Sequence, residues 1–175
     1  DQCGSRGLGD VYKRQERDGL VEMPFHKDPR SIPIPGCVDG WLALHERFGR
    51  LPLREVLADA IDLAIDGFPI SAECVQATKL LTEIDNTQDY FANGSPQVGQ
   101  LIRRAKLGET LRELANDGRE SFYLGKFGEE LLSFGAGEYT IEDLQTTQAD
   151  WVEPLSVQAF GQRIWSLPPN SQGYP

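Results

Sequence analysis

From Trp41 to Phe134 the apolar positions keep mostly to a helical period. Trp41, Leu44, His45 and Phe48 recur three and four residues apart and predict a first helix. Its lead is stiff. Asp28 to Pro35 holds Pro29, Pro33 and Pro35, which fix φ and push the residue before each of them to extended geometry. Gly36 then permits a turn, Asp39 is expected to cap the helix, and Gly49 to close it. Pro52 suits the first turn of a second helix. Its apolar stripe is Leu53, Val56, Leu57, Ala60, Ile61 and Ala64, opposed by Arg54, Asp59, Asp62 and Asp66. Gly67 ends it and Phe68-Pro69 blocks continuation. Ser71 is expected to cap a third helix that turns Ala77, Leu80, Leu81 and Ile84 inward.

Asp85 to Pro96 is polar and broken by Asn93-Gly94-Ser95-Pro96, and Val98 to Ile102 suits short extended chain. Leu107, Leu111, Leu114 and Ala115 mark a fourth helix, closed by Asn116-Asp117-Gly118. A short helical turn follows, then a helix through Phe127, Leu131 and Phe134. Thr140 with Asp143 has the spacing of a capping box. Leu155 to Phe160 and Arg163 to Leu167 alternate as strands joined at Gly161-Gln162, with Pro168-Pro169 stopping the second. The fold class is therefore α+β, mainly helical and ending in a β-hairpin. A lone hairpin is marginal in water, so its sheet is expected to continue in other polypeptide. The chain is expected to be a fragment that exposes apolar surface. Asp1 to Gln15 has no sustained period and is expected to be a non-native or disordered leader, leaving residues 16–175 as a partial domain.

Composition narrows the function. The chain has 175 residues, 39% hydrophobic and 25% charged, which is globular usage for one domain. No apolar run approaches the roughly 18 residues of a membrane helix, and no basic-then-apolar signal pattern opens the chain. A net charge of -10 argues against nucleic acid and anionic lipid. The three cysteines, Cys3, Cys37 and Cys74, form no CxxC pair and no disulfide framework. The two histidines, His26 and His45, offer little for a zinc site or a Ser/His/Asp arrangement. Trp41 is expected in the core, and His45 suits packing beside Trp41 and Phe48. Asp59, Asp62 and Asp66 have the spacing of a solvated helix face, not of an oxygen cage for calcium. No metal site is expected.

Asp39-Gly40-Trp41, "RFGRLP" (47–52) and "DGFPIS" (66–71), followed by "FYLG" (122–125), "YTIEDL" (139–144) and "SLPPNSQG" (166–173), resemble the γ-glutamyltransferase family. The likeness runs from Gly19 to Tyr174, and the order and spacing of several motifs make it specific. It implies an αββα N-terminal-nucleophile hydrolase whose precursor cuts itself into a large and a small subunit. The new N-terminal threonine attacks the γ-glutamyl carbonyl of glutathione or a related amide, with its own α-amine as base. By that resemblance this chain is the middle of the large subunit. The nucleophile, in a Thr-Thr-His context, lies downstream. The arginine that holds the glutamyl α-carboxylate lies upstream, and the oxyanion-stabilising groups belong to the small subunit. No catalytic residue is then expected in this chain, and no turnover from it alone. The resemblance implies no cofactor. It implies the small subunit and remaining large subunit as partners, and a periplasmic or extracellular location.

Thr146-Thr147-Gln148 imitates the nucleophile motif, but it lacks the histidine and follows a capped helix start, so an inter-element segment is expected. Asn170, Ser171, Gln172 and Gly173 are the segment expected nearest substrate, since they leave a strand end and include a glycine that lets backbone approach closely. A plain strand-to-helix turn explains them as well. Gly36, Asp39, Gly40 and Trp41 are expected to be structural, fixing how the first helix leaves the extended lead. The functional alternatives are that Asp39 orients a substrate group, or that this corner holds the floor of a cleft. Two other readings of the whole stay open: an acylase of the same superfamily with a different amide substrate, and a helical scaffold or binding module without chemistry.

Overall fold

The computed structural model describes residues 14–22, 28–81, 84, 86–91, 94–135 and 137–168. Among these, the helices are α1 (residues 14–17), α2 (Cys37–Phe48), α3 (Leu53–Val56), α4 (Ala58–Asp66), α5 (Ala72–Thr78), α6 (Gln88–Phe91), α7 (Ala105–Asp117), α8 (Arg119–Tyr123), α9 (Lys126–Phe134) and α10 (Ile141–Gln145). The strands are β1 (Phe68–Pro69), β2 (Leu101–Ile102), β3 (Leu155–Ala159) and β4 (Gln162–Ser166). Short 3-10 turns cover Pro29–Ser31 and Lys79–Leu81. The expected α+β class with a terminal hairpin is what the structure has. The chain forms two units, Asp1–Phe48 with Gly128–Pro175, and Gly49–Phe127.

The Gly49–Phe127 unit is built on α4 against α7. The predicted second helix is interrupted at one residue, Leu57 (φ -91°, ψ -4°), although the Leu57 N–H still reaches the Leu53 carbonyl and the Ile61 N–H the Leu57 carbonyl. Of the predicted stripe only Ile61 and Ala64 are buried, while Val56 faces solvent. Gly108 explains the close approach of α7, because a β-carbon there would strike Ile65. Leu114 is buried and Leu107 is 40% exposed.

Gly67, at φ +99°, ends α4 and turns the chain into β1. Phe68-Pro69, expected only as a block, pairs antiparallel with β2, Phe68 opposite Ile102 and Pro69 opposite Leu101. Ile70 and Ile102 are both 1% exposed. Ser71 caps α5 as expected, its Oγ accepting the Cys74 N–H at 3.2 Å. Thr78 is the buried residue of α5, whereas Ala77, Leu80 and Ile84 are exposed. The 3-10 turn after Thr78 has a shorter period than the predicted stripe and rotates Leu80 outward. The FYLG motif has a packing reason. Tyr123 is fully buried, Phe122 stacks on Phe127 with centroids 4.1 Å apart, and a β-carbon at Gly125 would overlap the Ser121 carbonyl.

The other unit is closed by long-range polar contacts. Tyr139 is buried and its hydroxyl donates to the Ile32 carbonyl at 2.9 Å, with the Pro29 carbonyl at 3.2 Å. Ile34, Val38, Tyr139 and Leu144 are its buried apolar residues. The expected capping box is present: Thr140 Oγ1 accepts the Asp143 N–H, and Asp143 accepts the Thr140 N–H. Arg14 and Gln15, at the end of the stretch read as a leader, are helical, and Arg14 is buried; residues 1–13 lie outside the described residues.

The hairpin register differs from expectation by one residue. Ala159 pairs with Gln162, and the turn is Phe160-Gly161, at φ +52° and +73°. Two positive φ values make the primed two-residue turn that suits right-twisted strands. Leu155, Val157 and Ile164 share one face of the hairpin and all are about half exposed or more. Apolar surface of the hairpin is thus open to solvent.

Candidate functional site

Helix α2 begins earlier than its sequence pattern suggested. The Gly36 carbonyl accepts from the Gly40 N–H at 3.1 Å, so Cys37 opens the helix and Asp39 sits inside its first turn. That corrects the expected cap. A carboxylate at the third helical position is favoured by the helix dipole, and here it has a distant partner. Asp39 Oδ2 accepts the Gln148 backbone N–H at 2.7 Å, with both residues buried. Gln148 Nε2 in turn donates to the Thr146 carbonyl at 3.1 Å and the Asp143 carbonyl at 3.3 Å. Gly36 lies against the same side chain, since a β-carbon there would stand 3.2 Å from Gln148 Cβ. The structure thus joins two of the singled-out residues, Gly36 and Asp39, to the segment that imitates a nucleophile motif.

In that segment Thr146 Oγ1 donates to the Glu142 carbonyl at 2.8 Å, and Thr147 Oγ1 accepts the Ala149 N–H at 3.4 Å. Both threonines are exposed, and these bonds tie their hydroxyls to nearby backbone. The arrangement is a tether between α2 and the chain after α10. The sequence pattern carries no sign of the contact to Gln148, because nothing periodic links positions 109 residues apart.

The remaining singled-out residues fall elsewhere. Gly40 is half-buried with open space where a β-carbon would go. Trp41 is 46% exposed, which corrects the expectation of a core residue, and Leu44 and Phe48 are more exposed still. The helix buries its first turn, through Val38 and Asp39, and not its apolar stripe. Phe48 meets Trp151 edge-on at 5.7 Å, and the Arg47 guanidinium lies 4.2 Å over the Trp151 ring. His45 is half-buried. Asp59, Asp62 and Asp66 line a shallow depression with Leu63 and Gly67 and are exposed. Among the described residues no cluster of His, Cys, Asp or Glu is placed to hold a metal ion. Asn170, Ser171, Gln172 and Gly173 lie outside the described residues.

A second cluster had no sequence signal beyond Tyr139 itself. Arg14 donates to the Ile32 carbonyl at 3.1 Å and the Glu138 carbonyl at 2.8 Å, and its guanidinium lies 5.0 Å over the Tyr139 ring. Arg17 reaches Glu138 Oε1 at 2.7 Å. Arg30 bridges Asp28 and Asp18, and its hydrogen bonds hold the Asp28 carboxyl down to about 2. Burial pushes the Tyr139 hydroxyl up, against the pull of Arg14.

Residues 9–174 match the family model for gamma-glutamyltranspeptidase. The chain is 34% identical over 182 residues to the glutathione hydrolase-like YwrD proenzyme of Bacillus subtilis, which covers 99% of the chain and 34% of that protein. It is 34% identical over 183 residues to the oxamate amidohydrolase proenzyme of Klebsiella pneumoniae, covering 97% of the chain and 35% of that protein. Its fold matches the crystal structure of Helicobacter pylori γ-glutamyltranspeptidase with a TM-score of 0.77 at 26% identity, over 90% of this chain and 48% of that one. The chain spans about a third of the length of these curated relatives. Among the described residues no helix is long and apolar enough to cross a membrane.

Proposed function

The chain belongs to the gamma-glutamyltranspeptidase family, and on that premise we propose that the full-length protein hydrolyses or transfers γ-glutamyl groups of glutathione and related amides. The observation that carries the reading is the match over residues 9–174, joined to a glutathione hydrolase-like proenzyme at 34% identity. In this reading the precursor cleaves itself, and a threonine outside this chain becomes the N-terminus of a small subunit. Its hydroxyl attacks the γ-glutamyl carbonyl while its α-amine takes the proton. That proton passes to the leaving amine as the amide C–N bond breaks, which leaves a threonine ester. Water or an acceptor amine then attacks the ester and frees the threonine.

This chain's part is support: its tethered corner and helices hold walls of the cleft, and its partners are the small subunit and the rest of the large subunit. Asn170, Ser171, Gln172 and Gly173 lie beside bound substrate in this reading, because they follow β4 after Leu167-Pro168-Pro169 and combine polar residues with a glycine. The location is periplasmic or extracellular, and the mechanism needs neither metal nor organic cofactor.

A second reading has its own support. The oxamate amidohydrolase proenzyme is as similar as the glutathione hydrolase-like one, so an amide other than a γ-glutamyl group is the competing substrate. Expression of the complete gene and assay of chromophore release from a γ-glutamyl anilide separates them. Self-cleavage with release supports the first reading. Self-cleavage without release, but with turnover of another amide, supports the second. Absence of self-cleavage overturns both.

A further inference from the structure

No further inference is drawn: the strongest candidate, the apolar face of the β3–β4 hairpin that Leu155, Val157 and Ile164 present to solvent, carries nothing, because its covering by the rest of the precursor restates the architecture of the family and nothing in the structure shows another occupant.

Discussion

The buried Asp39 carboxylate accepts the Gln148 backbone N–H at 2.7 Å, across 109 residues of chain. A buried donor that loses its acceptor keeps its desolvation cost, about 1–3 kcal/mol. Asp39→Ala is therefore expected to destabilise the chain by about that amount. Asp39→Asn retains an acceptor oxygen and is expected to lose less. Urea unfolding followed by tryptophan fluorescence measures both, and equal losses in the two variants would contradict an acceptor role.

Two glycines beside this tether are expected to respond to alanine in opposite directions. At Gly36 the new β-carbon stands 3.2 Å from Gln148 Cβ, and Gln148 is held by its own hydrogen bonds, so it cannot give way freely. Gly36→Ala should destabilise. Gly40 lies inside α2 with nothing within 4 Å of the added carbon. Gly40→Ala should stabilise by about 0.5–1 kcal/mol through lower unfolded-state entropy and better helix propensity. Thermal unfolding of the two single variants checks the signs.

What was legible in the sequence was local. Thr140 and Asp143 are three residues apart, and their reciprocal cap follows from type and spacing alone. Ser71 as a cap is legible for the same reason. The Asp39–Gln148 bond was not, because pairings between distant segments leave no periodic trace. Trp41, Leu44 and Phe48 mark a different failure. Periodicity identifies which face of α2 is apolar, but burial depends on whether a partner covers it, and in this structure the face stays open. The candidate site divides the same way: Gly36 and Asp39 were found as a structural corner, but what they hold was not.

The hairpin register slipped by one because residue type misled. A primed turn prefers Asn-Gly, and here Phe160 takes the first left-handed position at φ +52° and is 99% exposed. A left-handed conformation costs an ordinary residue about 1–2 kcal/mol, and the exposed ring recovers little of that by burial. Phe160→Asn is expected to stabilise the hairpin by up to about 1 kcal/mol. Slower amide exchange in β3 and β4 is the readout, and faster exchange would mean that Phe160 is held by something other than turn geometry.

Tyr139 supplies a pH dependence. Burial raises its hydroxyl above the ordinary tyrosine value, so the folded chain keeps that proton to higher pH than the unfolded chain does. The resulting stability is complete below the unfolded value of about 10 and is lost as pH climbs through the folded value. Tyr139→Phe removes this loss. It also removes the bond to the Ile32 carbonyl, so the variant starts about 1 kcal/mol less stable at neutral pH. Unfolding free energies on both sides of pH ~10 should show a flatter decline for Tyr139→Phe. Parallel curves would mean that another group sets the alkaline limit.

Thr146 and Thr147 are the pair that resembles a nucleophile motif. Activation of a hydroxyl requires a base placed to take its proton. Thr146 Oγ1 instead gives its proton to the Glu142 carbonyl, and Thr147 Oγ1 accepts from the Ala149 N–H. Both are turn contacts at the end of α10, of the kind that hydroxyl side chains make with their own backbone. If the reactive threonine lies in polypeptide beyond this chain, the Thr146→Ala, Thr147→Ala double variant of the full-length protein should self-cleave and turn over amide at rates close to wild type. Its cost should appear only in stability, about 1 kcal/mol for the lost local bonds. Retained folding with a loss of about a thousandfold or more in kcat would instead identify one of these hydroxyls as the attacking group.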